Sequence, residues 1–203
     1  MQASLNIFLN ALCFRNGCSI MTTSAGSAYF IERFVLGLKG VVTDNPSALR
    51  EEFHRLAVKV DSFSKTVIHR DFQSQNIMIT DSTPRLIDYQ GARQGPPAYD
   101  LASLLWDPYY RVEDAMRRRL LSYYTGEMKK RDHAFDEEVF VMSLLPCRLQ
   151  RHMQALGAYA FLSEVKGKKF FLKYIPSGLL FLKEEILNFE GEYPSLYTLI
   201  NGL

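Results

Sequence analysis

Two stretches decide the fold of this chain: VIHRDFQSQNIMI at residues 67–79 and RLIDY at residues 85–89. The first opens with the end of a short β-branched run at 66–68 and closes with a second apolar run at 77–80, and a polar loop lies between them. Residues 81–84 have the composition of a turn, and residues 85–89 have that of a third strand. The sequence therefore predicts a small β-hairpin that is preceded by a polar loop.

Helical patterns surround this hairpin, so we expect a mainly helical α+β protein. Asn45 and Pro46 are typical of an N-cap and of a first helical position, and they predict a helix with one apolar face. That face consists of Leu49, Phe53, Leu56, Ala57 and Val60. Residues 29–38 fit a strand or a short helix equally well. The other predicted segments are an amphipathic helix at 5–12, loops at 16–28 and 95–97, and helices at 99–106, 111–128, 136–166, 177–190 and 194–200.

Composition excludes several classes of protein. The chain has 203 residues, of which 47% are hydrophobic, and this is enough for one domain with a sizeable core. A net charge of +2 is too small to indicate a nucleic-acid partner or an anionic membrane. The three cysteines lack the spacing of a disulfide framework or zinc site, so we expect a reducing, cytoplasmic location. No apolar run reaches the length of about 18 residues that would predict a membrane span.

Three polar side chains near the hairpin have the chemistry of phosphoryl transfer. That reaction needs an in-line nucleophile, cations that neutralise developing charge and a group that accepts a proton. Asp71 follows a strand and can accept the proton, whereas Asn76 and Asp88 offer the oxygen ligands that Mg²⁺ prefers. Each residue alone is typical of a turn or cap, and only the combination predicts a catalytic base with two metal ligands.

Neighbouring residues are candidates for supporting roles. We expect His69 to be a buried, hydrogen-bonded support of the loop. Arg70 is a candidate catalytic residue, with pairing to an acid or fixing the loop as alternatives. Gln73 and Gln75 either face the acceptor pocket or are ordinary polar loop residues. Asp100 lies near the start of a helix, where it either caps that helix or accepts backbone N–H groups of the loop.

These motifs resemble a known family. HRDFQSQN at 69–76, LIDYQ at 86–90 and GPPAYDLASLL at 95–105 are similar to the aminoglycoside/choline phosphotransferase branch of the protein-kinase-like superfamily. Many antibiotic and choline kinases of that branch have Gly and a second His where this chain has Arg70 and Gln73.

Within the branch, the chain resembles more closely the anomeric sugar kinases that phosphorylate N-acetylmuramate and N-acetylglucosamine in bacterial cell-wall recycling. LQRHMQALG at 149–157 and the aromatic, lysine-rich stretch that ends at Pro176 also resemble theirs. The resemblance implies transfer of phosphate from ATP, with Mg²⁺, to the anomeric hydroxyl of an amino sugar. Two alternatives remain open: an aminoglycoside- or choline-type kinase, and a non-catalytic lobe that binds a ligand or partner without turnover.

The resemblance also implies roles for individual residues. It makes Asp71 the base, Asn76 and Asp88 the magnesium ligands, and Asp100 the brace of the loop. Three residues of a C-terminal helix would either line the acceptor pocket or face solvent, namely Arg151, His152 and Gln154.

The part of the chain before the motif does not resemble the ATP-covering lobe of such kinases. Residues 1–68 have no glycine-rich loop between strands and no strand lysine of the expected type. We therefore expect a kinase-like C-terminal lobe at 29–203 with the N-terminal lobe absent, and a helix and loop at 1–28 as a linker remnant. The floor of the ATP cleft would then be exposed, which favours self-association.

Overall fold

The computed structural model describes residues 24–203. The helices are α1 (Ser24–Tyr29), α2 (Pro46–Asp61), α3 (Pro97–Leu105), α4 (Asp114–Arg131), α5 (Glu137–Ala160), α6 (Ile175–Ile186) and α7 (Pro194–Gly202). The strands are β1 (Thr66–Ile68), β2 (Ile77–Thr80), β3 (Thr83–Leu86) and β4 (Arg93–Gly95). Two π-helical segments are Phe30–Leu38 and Phe161–Val165, and 3₁₀ segments are Ser74–Asn76, Tyr89–Gly91, Lys169–Tyr174 and Leu187–Phe189.

These elements divide into two compact units. One unit consists of residues 63–144, and the other consists of residues 24–62 together with residues 145–203. The expected mainly helical α+β class is confirmed. The expected division into 1–28 and 29–203 stays a prediction. Within residues 24–203, no helix is both long enough and apolar enough to cross a membrane.

The 63–144 unit contains the predicted hairpin. Strands β2 and β3 pair antiparallel, with Thr80 opposite Thr83 next to the turn. Asp81 and Ser82 form that turn with positive φ values of 50° and 60°. A two-residue hairpin turn of this kind matches the natural twist of the strands, so the hairpin is tight.

The third strand lies earlier than predicted. It was expected at residues 85–89, but β3 ends at Leu86 and Asp88 is outside it. Pro84 belongs to β3 and not to the turn, because β3 has a partner on one side only and the missing N–H can face away from β2.

A second two-stranded sheet corrects the predicted loop at 95–97. Strand β1 pairs antiparallel with β4, with Thr66 opposite Gly95, and Pro97 already begins α3. A Cβ atom on Gly95 would lie 2.5 Å from Cδ1 of Ile68, which favours glycine at this crossing. Strands of three residues that pair across a long stretch of chain leave no periodic signal in the sequence.

Helix α2 begins as predicted. The Asn45 side chain accepts a hydrogen bond from the backbone N–H of Ala48 at 3.1 Å, and Pro46 lies in the first turn. The predicted apolar face is buried except for Ala57, which is half-buried. Glu52 shares that face, which the sequence did not indicate.

The buried Glu52 caps another helix. Its side chain is 3% exposed and accepts the backbone N–H groups of Ser195 at 2.9 Å and Leu196 at 2.7 Å, at the start of α7. These donors have no partner within α7, so the carboxylate satisfies them and also interacts favourably with the helix dipole.

Other boundaries differ from expectation. Residues 24–28 are helical in α1, so the predicted loop at 16–28 is wrong there. The ambiguous segment 29–38 is helical, with a π-helical pattern over Phe30–Leu38. The single helix predicted at 136–166 ends at Ala160, and a π-helical segment follows it. The predicted helix at 5–12 lies outside the described residues.

A glycine permits close contact between α5 and the end of α1. A Cβ atom on Gly157 would lie 2.9 Å from Cδ1 of Tyr29, 3.2 Å from its backbone oxygen and 3.3 Å from Cα of Phe30. We expect Gly157→Ala to lower the free energy of unfolding by about 1–3 kcal/mol, because backbone atoms cannot move aside cheaply. Urea denaturation measures this loss.

Gly126, in the interior of α4, is the matched control. A Cβ atom there would meet nothing within 4 Å. We expect Gly126→Ala to keep or raise stability, since alanine is favoured over glycine in a helix by roughly 0.5–1 kcal/mol. Equal stability of the two variants would show that the close contact at Gly157 does not require glycine.

Candidate active site

A carboxylate from α3 holds the start of the 69–76 loop. Asp100 is 3% exposed, and its two oxygens accept the backbone N–H groups of His69 at 2.6 Å and Arg70 at 2.8 Å. Helix α3 has no side-chain cap of its own. Of the two interpretations of Asp100, these contacts are those of a loop brace.

The braced backbone is strained at Arg70. Its φ of 75° lies in the left-handed region, which costs a residue with a side chain about 1–2 kcal/mol. Hydrogen bonds from two adjacent N–H groups to one charged carboxylate are strong enough to offset that cost. Asp100 therefore fixes a sharp bend directly before Asp71.

His69 supports the loop from the other side. The ring is buried, and Nε2 lies 2.9 Å from the backbone oxygen of Ile87. Because a carbonyl oxygen only accepts, Nε2 carries the hydrogen and donates it. Nδ1 is buried without a hydrogen-bond partner among the described residues, so a proton on it would be an unsatisfied donor. The ring therefore joins the end of β1 to the segment before Asp88.

Asp71 and Asn76 belong to one hydrogen-bonded turn. The Asn76 side-chain nitrogen donates to the backbone oxygen of Asp71 at 2.8 Å, and the Gln73 N–H donates to the same oxygen at 2.9 Å. The backbone N–H of Asn76 donates to the Gln73 oxygen at 2.9 Å, which closes the 3₁₀ turn. This leaves the amide oxygen of Asn76 available on the side away from Asp71.

Asp88 lies beside the end of this turn. The backbone N–H of Ile87 donates to the backbone oxygen of Asn76 at 3.1 Å, so Asn76 and Asp88 lie on neighbouring segments. Asp88 is exposed and has a left-handed backbone with φ 64°. The Gln90 side chain donates to its Oδ1 at 2.7 Å, which orients the carboxylate.

A second buried carboxylate, Asp107, also holds the loop, and the sequence did not reveal it. Asp107 follows α3 and is 1% exposed. Its Oδ2 accepts the backbone N–H of Ser74 at 2.7 Å, and its Oδ1 accepts that of Tyr109 at 2.9 Å. An Asp between a helix and a proline is typical of a turn, so no sequence pattern separates this residue from an ordinary turn aspartate.

The remaining loop candidates occupy different environments. Arg70 Nη1 donates weakly to the Gly91 oxygen at 3.4 Å, and its Nε has no hydrogen-bond partner among the described residues. Its side chain thus extends toward the segment that follows Asp88. Gln73 is half-buried and Gln75 is exposed.

Tyr124 from α4 contributes to the electrostatics around Asp100. Both residues line the same small cleft against β1. Burial raises the pKa of the Tyr124 hydroxyl, and the negative charge of Asp100 raises it further. The hydroxyl therefore stays protonated at neutral pH and adds no second negative charge beside the brace.

The three acceptor candidates on α5 lie in the other unit. Arg151 and His152 are buried, so the alternative that they face solvent is wrong for both. Arg151 donates a hydrogen bond to the side chain of Gln154 on the same helix. Their role in an acceptor pocket stays a prediction.

His152 belongs to a buried ionic cluster around Glu185 on α6. Its Nδ1 lies 2.9 Å from the Glu185 carboxylate, and its ring stacks on Phe181 with centroids 5.2 Å apart. Arg148, one helical turn before His152, donates to the same carboxylate at 3.0 Å. Glu185 shares the buried face of α6 with Phe181, Leu182 and Ile186. An acid in such an apolar stripe is a sequence signal of a buried carboxylate, and the sequence analysis missed it.

The donor atoms at the loop suit magnesium. Asn76 offers a free amide oxygen and Asp88 an exposed carboxylate, and Mg²⁺ prefers such hard oxygen ligands. Within residues 24–203, no group of three His, Cys, Asp or Glu side chains is placed to hold a metal. One or two protein ligands are nevertheless sufficient for Mg²⁺ when phosphate oxygens and water complete its shell.

Comparison with known proteins identifies the family of this chain. The model of the phosphotransferase enzyme family matches residues 32–135, about half of the chain, and this range includes the 69–76 loop, the hairpin and both buried aspartates. The chain belongs to this phosphotransferase family. The coarser expectation from the motifs, a phosphotransferase, is thereby confirmed.

Curated relatives from bacteria resemble this phosphotransferase. The N-acetylmuramate/N-acetylglucosamine kinase of Neisseria meningitidis is 32% identical over 140 residues, which cover 67% of this chain and 41% of that protein. The proteins of the same name from Pseudomonas putida and Pseudomonas aeruginosa are 28% and 25% identical over 138 and 129 residues, which cover 66% and 60% of this chain. The matched part spans only 39% and 37% of these two relatives, so this phosphotransferase spans about two fifths of their length.

Proposed function

We propose that this chain is the catalytic part of an ATP- and Mg²⁺-dependent small-molecule kinase. The observation that carries the proposal is the hydrogen-bonded turn that joins Asp71 to Asn76, with Asp88 on the neighbouring segment. A carboxylate and two further side-chain oxygens close to one short loop support this proposal, because phosphoryl transfer needs a proton acceptor and ligands for a cation. Under this proposal, residues 29–203 are the kinase-like C-terminal lobe, and an ATP donor favours a cytoplasmic location.

Each residue has a distinct part in the proposed reaction. Asp71 accepts the proton of the acceptor hydroxyl. The oxygen of that hydroxyl forms a bond to the γ-phosphorus of ATP, and the bond between the γ-phosphorus and ADP breaks. Asn76 and Asp88 hold Mg²⁺, which neutralises charge on the phosphates. Arg70 is the further catalytic candidate, since its guanidinium extends from the loop toward the segment after Asp88. His69 and Asp100 keep the loop in place.

The proposed acceptor is an amino sugar of the N-acetylmuramate/N-acetylglucosamine type, attacked at its anomeric hydroxyl. Similarity to the bacterial kinases that carry these two sugars in their names supports this choice. Gln73, Gln75, Arg151, His152 and Gln154 are the proposed acceptor contacts. Transfer to N-acetylmuramate, N-acetylglucosamine, choline and an aminoglycoside, compared side by side, decides between the sugar and the alternative acceptors.

Binding of Mg·ATP is the first test of the proposed site. We expect calorimetry to show Mg²⁺-dependent ATP binding that Asp88→Asn weakens by more than about tenfold, because even outer-shell partners of a metal contribute about 10–100-fold to affinity. Asparagine tolerates the left-handed backbone of Asp88, so the change removes the charge without adding strain.

Asp81→Asn is the matched control for this test. Asp81 also has a positive φ, of 50°, and lies at the opposite end of the hairpin from Asp88. We expect this variant to bind Mg·ATP like the original chain. Equal loss in both variants would point to general electrostatic attraction, and no binding by the original chain would contradict the proposed function.

A further inference from the structure

We propose that Asp107 is a positioning residue for phosphoryl transfer, which sets the orientation of Asn76 through the backbone of Ser74. This inference rests on the proposed function of the loop. Asp107 touches neither Asp71 nor Asn76 through any described hydrogen bond; it acts on the turn between them.

The first step of the argument is the shape of the loop. Asp100 binds the N–H groups of His69 and Arg70, so it fixes only the part of the loop before Asp71. The backbone then runs through Gln73 in an extended conformation, with φ −121° and ψ 163°, before it enters the turn Ser74–Asn76. Within the loop, this second half is tied to Asp71 only by hydrogen bonds of Gln73 and Asn76 to the Asp71 backbone oxygen.

The second step is a charged contact from outside the loop that holds the turn in place. The N–H of Ser74 is the first donor of the 3₁₀ turn and has no partner within it, as at any helical N-terminus. The carboxylate of Asp107 accepts it at 2.7 Å. A charged acceptor, nearly removed from water at 1% exposure, makes a strong hydrogen bond that fixes the turn.

The third step connects the turn to the metal ligand. Residues 74–76 form a single turn that is closed by the Asn76 N–H to Gln73 oxygen bond, so moving Ser74 moves Asn76. The Asn76 amide must point its nitrogen at the Asp71 backbone to leave its oxygen for a cation. Asp100 in α3 and Asp107 just after α3 thus hold the two halves of the loop, Asp100 the half before Asp71 and Asp107 the half that carries Asn76.

Asp107→Asn separates this role from simple folding. Asparagine keeps one acceptor oxygen, which favours the local bond to Tyr109 two residues on, as in an ordinary Asx turn. Its amide nitrogen then faces the Ser74 N–H, so the bond to the loop is the one that is lost. Glu52→Gln is the matched control, since Glu52 is similarly buried and also accepts two backbone N–H groups, but those of Ser195 and Leu196 in the other unit.

The experiment compares three measurements on the full chain and both variants: thermal unfolding, hydrogen exchange of the amides of residues 72–76, and phosphoryl transfer from Mg·ATP. We expect the two variants to lose similar stability. Only Asp107→Asn should speed up exchange at 72–76 and lower kcat, by about 10–100-fold, because a shift of about 1 Å at a reacting group costs that much. The KM for the acceptor should change far less.

The outcomes are distinguishable. If Asp107→Asn keeps the kcat of the unsubstituted chain, the positioning role is wrong. The same holds if kcat falls as much in Glu52→Gln as in Asp107→Asn. If the unsubstituted chain neither binds Mg·ATP nor transfers phosphate, the proposed function is wrong, and Asp107 then has no part in catalysis. Exchange at 72–76 would still report in that case whether Asp107 holds the loop.

Discussion

Asp71→Asn is expected to abolish most phosphoryl transfer while Mg·ATP still binds. The amide has the size of the carboxylate but cannot accept the proton of the attacking hydroxyl at neutral pH. Loss of a general base costs about 10²–10⁴-fold in rate. The amide also leaves the backbone oxygen of Asp71 in place for the Asn76 and Gln73 hydrogen bonds, so the turn should survive.

Single-turnover transfer to N-acetylmuramate or N-acetylglucosamine measures this effect, with calorimetry of Mg·ATP beside it. Asp81→Asn again serves as the control, since it makes the same chemical change in the hairpin turn. A rate within a few-fold of the original chain for Asp71→Asn would exclude Asp71 as the base. Loss of both binding and transfer would instead show that the substitution disturbs the loop.

Asp100→Ala is expected to have the largest effect on the stability of the 63–144 unit. It leaves the N–H groups of His69 and Arg70 without their acceptor at a buried site. Each unsatisfied buried donor costs about 1–3 kcal/mol, so we expect a loss of about 2–5 kcal/mol in the free energy of unfolding. The left-handed strain at Arg70 would no longer be offset, and the backbone bend before Asp71 should relax.

Urea denaturation followed by hydrogen exchange at residues 69–71 tests this prediction. Asp132→Ala is a suitable comparison, because the Asp132 carboxylate also accepts a backbone N–H, that of Ala134 at 2.9 Å, but in solvent. Water replaces that bond, so the change there should stay within about 0.5 kcal/mol. Similar losses in the two variants would mean that the burial of Asp100 adds nothing.

The local features of this fold were accessible from the sequence because they depend on near neighbours. The N-cap at Asn45, the apolar face of α2 and the hairpin at residues 77–86 all follow from residue type and spacing. The turn was predicted two residues too long, at 81–84, because Pro84 is typical of a turn, whereas its one-sided pairing in β3 also accommodates a proline.

The features that the sequence concealed depend on contacts across long stretches of chain. The β1–β4 sheet joins two three-residue strands, and neither strand has a pattern that identifies its partner. The sequence did not single out Asp107 or Glu52, since a carboxylate that binds backbone N–H groups needs no particular residue type opposite it. Among the candidate site residues, Asp71, Asn76 and Asp88 could be grouped beforehand, and the contact of Asp100 with the loop was one of two interpretations of that residue.

Asp100 and Asp107 bind backbone atoms of the 69–76 loop and not its side chains. Asp100 and Asp107 would hold the same bend whichever side chains stand at 70, 73 or 75, because the atoms that they bind are common to every amino acid except proline. The part of the loop that would meet an acceptor can therefore change while the geometry of the reaction stays fixed. Such a scaffold lets new substrates be acquired by substitution within the loop, although proline would remove a hydrogen bond at positions 69, 70, 73, 74 and 76.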